Sequence, residues 1–341
     1  MSDIRILYPD MVASDGGVVE RDAAGPGVHL DLYKARKADD IPDEVWRNAD
    51  ALLTAIDVRM TEDVIARLDK CKIIVRQGVG VDLIDLRAAG AKGIPVCNVP
   101  DYGTTDVADH AIALLLTFTR GIVAYNDAFR DDPANGWNYE NSPTVMRTKG
   151  KTLGIIGLGR IGTAAALRAK AFDLKVCAYD PYMPDGRELS LGVTRYERLE
   201  EMLAVCDFIS VHAPGTSETG NLINAETIAA MKPGTILVNT ARGMICDLQA
   251  VYDGLKSGQL LAAGLDVYPE EPVPADNPLI KAWRAREKWI DGRFVVTPHA
   301  AFYSDVGLEF MRRKSVTTIT EYLRNGHLRN CLNLEFLKPR S

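Results

Sequence analysis

The sequence predicts an α/β protein made of two doubly wound, parallel-sheet domains. Short apolar, β-branched runs alternate with helix-compatible stretches, the pattern of strands joined by crossover helices. The alternation restarts after a turn-rich loop, Asp131-Asp-Pro-Ala-Asn-Gly-Trp-Asn-Tyr139. The length of 341 residues also exceeds what one hydrophobic core usually supports.

In the first half, strands are expected at Ile4–Tyr8, Ala51–Ile56, Lys72–Arg76 and Pro95–Val99. Thr61, followed by Glu62 and Asp63, marks a helix start that runs to Leu68. One long helix is expected from about Thr105 to Arg130, with Ala111-Ile-Ala-Leu-Leu-Leu116 along its apolar flank. Strands of the second half are expected at Thr152–Gly157, Lys175–Asp180, Phe208–His212, Thr235–Asn239, Leu261–Val267 and Phe294–Thr297. A last helix runs from Leu308 through Tyr322 and ends near Asn325-Gly326. It follows the last strand of the second half, so it can return to the first domain and make that domain discontinuous.

Composition narrows the function. Lys and Arg number 40 against 46 Asp and Glu, for a net charge of −6, with charges spread along the chain. Nucleic-acid and anionic-membrane surfaces want a basic stripe, so neither partner is expected. The best apolar run, Ala111 to Phe118, is too short to span a bilayer. The first residues lack a basic region followed by an apolar block, so no secretory signal is expected. Six cysteines (71, 97, 177, 206, 246, 331) form no C-x-x-C pair and lie mostly in strand-like runs. That usage suits a reducing compartment, and a cytoplasmic location is expected. No His/Cys/Asp cluster has metal-ligand spacing, so no metal is expected.

Gly157-Leu-Gly-Arg-Ile-Gly162 follows a strand-like run and opens a helix, Thr163 to Phe172. In that setting the three glycines read as a dinucleotide site. Gly157 makes the tight turn, Gly159 lets backbone approach a pyrophosphate, and Gly162 allows close helix–strand packing. The helix N-terminus then offers its amides to the phosphates. Asp180 ends the next strand, 18 residues after Gly162. Its carboxylate can accept from ribose hydroxyls and would repel a 2′-phosphate, so NAD (NADH) is expected and NADP disfavoured, although nearby Arg187 can relieve that repulsion.

Several further blocks follow in order: Val79-Gly-Val-Asp82, Leu167-Arg-Ala-Lys-Ala-Phe172, Tyr179-Asp-Pro-Tyr182, Leu237-Val-Asn-Thr-Ala-Arg-Gly243, Gly264-Leu-Asp-Val267, Glu271-Pro272 and Thr297-Pro-His-Ala-Ala-Phe-Tyr-Ser304. With them the chain resembles the D-isomer-specific 2-hydroxyacid dehydrogenase family, most closely its C-terminal binding protein branch. The match spans about residues 72 to 304, and Asn330-Cys-Leu-Asn333 resembles that branch's tail. The resemblance implies two Rossmann-like or flavodoxin-like domains with the active site in the cleft between them. The substrate domain would comprise residues 1–104 and 301–341, and the NAD-binding domain residues 105–300. It also implies a homodimer formed through the NAD-binding domain, for which the long helix is the expected contact surface.

The resemblance assigns catalysis to Arg242, Glu271 and His299. Arg242 would bind the carboxylate of a small 2-oxo or 2-hydroxy acid bidentately. His299 would exchange a proton with the substrate oxygen, and Glu271 would set its tautomer and favour the imidazolium. Glu270 is the rival for Glu271, but Glu271 directly precedes Pro272 and matches the motif. Cofactor contacts carry over to Arg160 and Ile161 at the pyrophosphate, Pro181 beside Asp180, and His212-Ala213-Pro214 at the adenosine. Thr240, Ala241, Arg242, Asp266 and His299 fall near the nicotinamide, with Asp266 bonding its carboxamide. The loop Arg76-Gln-Gly-Val-Gly-Val-Asp82 offers the amides of Val79 and Gly80 to a substrate carboxylate. Arg76 either faces that acid or makes a structural salt bridge. Phe302 stands where the branch has tryptophan and keeps an aromatic wall; Tyr102 and Trp137 are weaker candidates.

Of the other histidines, His29 and His327 read as surface residues and His110 as packing. The segment 273–293, with Trp283, Trp289 and basic residues at 284, 286, 288 and 293, is longer than in many members. It would cap the cleft, meet a second subunit or pack on the domain surface. The main alternative function is the branch's other role, an NAD(H)-sensing peptide-binding corepressor-type module with weak dehydrogenase activity.

Overall fold

A computed structural model describes residues 4–338. In chain order the elements are β1 (Ile4–Tyr8), α1 (Val18–Ala24), β2 (Val28–Leu32), α2 (Asp43–Asn48), β3 (Ala51–Thr54), α3 (Glu62–Ala66), β4 (Ile74–Arg76), α4 (Leu86–Ala91) and β5 (Val96–Cys97). Then follow α5 (Thr104–Thr119), α6 (Ile122–Asp131), β6 (Thr152–Ile156), α7 (Arg160–Ala171), β7 (Lys175–Tyr179), α8 (Arg187–Leu191), β8 (Thr194–Tyr196), α9 (Leu199–Leu203) and β9 (Phe208–Val211). The chain ends with α10 (Ala225–Ala230), β10 (Thr235–Asn239), α11 (Leu248–Ser257), β11 (Leu260–Leu265), α12 (Pro278–Arg284), β12 (Phe294–Val296) and α13 (Asp305–Asn325). Two compact units result: Met1–Gly103 with Ser304–Ser341, and Thr104–Tyr303. Ala301 to Tyr303 fall in the second unit, three residues beyond the expected boundary, because the Asp266 carboxylate on the β11 loop binds the amides of Ala300 and Ala301.

The first unit has a parallel five-stranded sheet in the order β2-β1-β3-β4-β5. Its central strands are continuous apolar runs because helices cover both faces. Ile6, Leu7, Leu52, Leu53, Ile74 and Val75 are all fully buried. The last helix, α13, packs Val316 and Ile319 against Ile6, Tyr8, Leu53 and Val75 of this sheet, so the chain end rejoins the first unit. Ser304 caps α13 by accepting from Gly307 N, and Gly326 ends it in the left-handed conformation. Within the same unit Arg312 of α13 donates to both Glu20 and Asp15. Downstream, Asn333 accepts from Val96 N at 2.8 Å and donates to Ile94 O at 3.0 Å, fastening the tail to β5.

In the second unit seven parallel strands run β12-β11-β10-β9-β6-β7-β8. The order reverses between β6 and β9, the crevice where doubly wound sheets bind ligands. The single long helix expected at 105–130 is two helices, broken at Gly121, which sits at φ 65, with a 57° bend. The apolar face of α5 is spent inside the unit: Ala111, Leu114, Leu115 and Phe118 join the core with Ala165, Ala169 and Ile236. Among the described residues no single helix is long and apolar enough to cross a membrane, and the bent pair α5–α6 meets that test only when taken together.

The 273–293 segment packs on its own unit. Trp289 meets Tyr252 edge-on at 5.0 Å, and Arg286 pairs with Asp131 and Asp291. Arg293 donates to the carbonyls of Leu255, Leu260, Leu261 and Trp289, satisfying the end of α11. Among the described residues all six cysteines are free, and five are buried.

Candidate active site

The glycine loop follows β6 at the point of order reversal. Gly157 adopts φ 90, and a Cβ there would stand 2.7 Å from Ala213 N, so the loop leans on the loop after β9. A Cβ on Gly162 would stand 2.1 Å from Gly157 O, so only glycine lets α7 start this close. Around Gly159 the space is open, and α7 has no side-chain N-cap. The first-turn amides of Arg160 and Ile161 thus have no helical acceptor. Asp180 closes the loop from β7: Oδ2 accepts from Leu158 N at 2.8 Å and Oδ1 from Tyr182 N at 3.0 Å. Arg187 donates to Thr163 Oγ1 at 3.0 Å on α7. Pro181 and Pro214 are exposed.

Two buried polar atoms here lack any partner: Thr240 Oγ1 after β10 and His212 Nδ1 after β9. Burial pushes the His212 imidazole down to about 4, and its Nε2 lies 2.8 Å from Ser210 Oγ. A glycine cradle, uncapped helix amides and orphaned polar atoms at successive strand ends suit a dinucleotide.

The second cluster begins at the end of β10. Buried Asn239 accepts from Ala241 N and donates to Arg242 O, folding the 240–242 turn. A Cβ on Gly243 would stand 1.8 Å from Tyr268 C, so this turn presses on the loop after β11. Arg242 Nη1 donates to Ala241 O at 2.7 Å. In the β11 loop, Glu271 Oε1 accepts from Tyr268 N at 2.9 Å and Oε2 lies 2.6 Å from His299 Nδ1. Burial alone would raise the Glu271 carboxyl; the bonds from His299 and Tyr268 N and the nearby Arg242 charge outweigh it and hold it below its ordinary value. Among the described residues the side chain of the rival, Glu270, makes no hydrogen bond to His299; that contact is Glu271's. Phe302 stands edge-on to the His299 ring at 6.2 Å.

These observations match a known family. Residues 112–301 fit the model of the D-isomer specific 2-hydroxyacid dehydrogenase NAD-binding domain. The chain belongs to that family. It is 39% identical over 277 residues, 81% of this chain and 51% of the other, to a D-3-phosphoglycerate dehydrogenase of Methanocaldococcus jannaschii. The chain thus spans about half the length of that curated relative. The D-lactate dehydrogenase of Aquifex aeolicus, solved with NAD and lactic acid, superposes with a TM-score of 0.82 at 28% identity, covering 97% of each chain. An NADPH-dependent glyoxylate/hydroxypyruvate reductase of Sinorhizobium meliloti, solved with NADP and malonate, gives 0.83 at 27% identity, covering 100% of each.

Within this family member the Asp266 carboxylate is already engaged. The residue is 1% exposed and accepts from Thr297 Oγ1, Ala300 N and Ala301 N, so it holds the His299 turn. His110, expected to pack, instead places Nε2 3.1 Å from Thr297 Oγ1. Asn239, Thr297 and His110 thus join the cluster through hydrogen bonds; in the sequence the first two only end expected strands, and no spacing marks their side-chain partners.

The 76–82 loop belongs to the first unit. Arg76 Nη1 donates to Gln77 O, and buried Gln77 accepts from Tyr8 OH at 2.8 Å and faces Glu20 at 3.4 Å. Among the described residues the amides of Val79 and Gly80 make no hydrogen bond. Trp137 is 82% exposed and packs on Phe129 at a centroid distance of 5.9 Å.

Proposed function

We propose that this protein is an NAD-dependent dehydrogenase interconverting a small 2-oxo acid and its D-2-hydroxy acid. The observation that carries the reading is the 2.6 Å contact of His299 Nδ1 with Glu271 Oε2. It commits one ring nitrogen to a carboxylate and leaves Nε2 to exchange a proton with a substrate oxygen. In reduction His299 gives that proton to the forming alkoxide; in oxidation it takes it from the hydroxyl. Glu271 fixes the tautomer and offsets the imidazolium charge. Arg242, on a turn held by Asn239, binds the substrate carboxylate and favours negative charge on the carbonyl oxygen. In the first unit, Arg76 and the unbonded amides of Val79 and Gly80 form a loop suited to a carboxylate.

Gly157, Gly159, Arg160, Ile161 and Gly162 would hold the pyrophosphate. Asp180 and Pro181 would meet the ribose, His212-Ala213-Pro214 the adenosine side, and Thr240-Ala241 the nicotinamide side. Held by these residues, a nicotinamide cofactor would supply the hydride chemistry at the substrate's carbonyl carbon. Asp180 supports a preference for NAD by charge, although a similar structure holds NADP. Homodimer formation through the second unit is part of the reading. Its support is the exposed Ile122 and Phe129 of α6 with Trp137 and Tyr139 beyond them, rather than α5.

The test is NADH oxidation with glyoxylate, pyruvate, hydroxypyruvate, phenylpyruvate and 4-methyl-2-oxopentanoate, and NAD reduction with D-3-phosphoglycerate, the substrate in the name of one relative. Clear turnover of at least one compound is expected, with the D enantiomer on chiral analysis wherever the 2-hydroxy acid formed is chiral. Marginal rates on all of them, or an L product, would overturn the reading.

A further inference from the structure

We propose that His110 on α5 is a positioning residue for His299, acting through Thr297 and Asp266 as a hydrogen-bonded brace. The inference rests on the acid–base reading of His299. His299 sits at φ 51, a left-handed conformation that disfavours a residue with a Cβ and persists only where its surroundings hold it. Asp266 supplies most of that hold. Its carbonyl accepts from His299 N at 2.7 Å, and its carboxylate accepts from Ala300 N at 2.9 Å and Ala301 N at 3.0 Å. One buried residue thus grips three successive amides of the turn.

The direction of the remaining bonds follows from chemistry. A carboxylate engaged by two amides is an acceptor, so the Thr297 hydroxyl gives its single hydrogen to Asp266 Oδ1 at 2.5 Å. The Thr297 oxygen is then left as an acceptor, and the ring nitrogen 3.1 Å away, His110 Nε2, must donate to it. The same nitrogen stands 3.8 Å from Asp266 Oδ1. His110 is therefore held as an Nε2–H donor aimed at the group that fixes the catalytic turn. The core seating of α5 is carried by other side chains, among them Val107, Ala108, Ala111 and Leu114, while the His110 side chain stays 26% exposed. Loss of its ring should slacken the turn without unseating the helix.

The test compares His110→Leu, His110→Gln, Thr297→Val, the double variant His110→Leu/Thr297→Val and His299→Ala in the full chain. Each is measured for kcat, KM for the best oxo acid, NADH dissociation constant and Tm. His110→Leu and Thr297→Val are expected to lower kcat by about tenfold or more, the scale of a displaced reacting group, with NADH affinity and Tm near wild type. The double variant should be no worse than the weaker single, because both remove one link. Gln keeps an N–H at the Nε2 position and should recover much of the loss. Wild-type kcat in His110→Leu, or a loss that merely follows Tm or NADH affinity, overturns the brace. His299→Ala separates the two ideas: near-normal turnover there overturns the acid–base reading, whereas an inactive His299→Ala beside a fully active His110→Leu overturns the brace alone.

Discussion

Nδ1 of His299 lies 2.6 Å from Oε2 of Glu271, and the two residues come from different loops, after β12 and β11. If this pair works as an acid–base unit, His299→Ala should lower kcat by about a hundredfold to ten-thousandfold. NADH binding, followed by fluorescence titration, should stay within a few-fold of wild type.

The same pair sets a pH dependence. Glu271 is held below the ordinary carboxylate value, so its contribution is complete at neutral pH and disappears as pH falls through that depressed value. Glu271→Gln should abolish this acid loss. Rate profiles of the two proteins on one substrate decide it; superimposable acid limbs would count against a role for the ionised Glu271 carboxylate.

Arg242→Ala should reduce kcat/KM by about 30-fold to several thousand-fold, the equivalent of about 2–5 kcal/mol for an unpaired buried charge contact. Arg242→Lys keeps the charge but not the bidentate fork, so it should recover only part. An unchanged KM in the alanine variant would remove the carboxylate assignment.

Asp180 does two jobs that a pair of variants can separate. It accepts from Leu158 N, which shapes the glycine loop, and it presents charge where a 2′-phosphate would lie under the proposed reading. Asp180→Asn keeps an acceptor for the amide and loses the charge, so it should narrow the NADH/NADPH ratio of kcat/KM while NADH affinity holds better than in Asp180→Ala. A constant ratio in both would remove the charge argument.

Arg312 is 8% exposed and binds Glu20, which is fully buried. Arg312→Met leaves that carboxylate unpaired and should destabilise the fold by about 3–5 kcal/mol, measured by urea unfolding. Glu20→Leu/Arg312→Met should recover much of this. The hydrogen bond from Arg312 also lowers the Asp15 carboxyl to about 2. Stability from Asp15 is therefore present above the ordinary carboxylate range and lost as pH falls toward that value. Acid titration of the single variant should lack this component.

Much of the plan was legible in the chain. The central strands are short β-branched runs buried on both faces, and β6, β10 and the ends of α13 stand almost where their patterns indicated. The edge strands β2 and β8 were not foreseen, because Val-His-Leu-Asp-Leu and Thr-Arg-Tyr are half exposed and lack a continuous apolar signal. The break at Gly121 was hidden within a pattern apolar enough to read as one helix, since an isolated glycine inside such a run is tolerated at a cost and does not by itself mark an end.

By itself the sequence determined the two alternating α/β halves and the glycine turn with its following acid. Each of those depends on residue type at short range. The tertiary structure decided which carboxylate reaches the imidazole, that Asp266 grips the turn, that Asn239 folds the 240–242 turn, and that His110 faces Thr297. Those bonds join residues between two and 187 positions apart, and a hydrogen bond needs a distance and an angle that no linear spacing encodes.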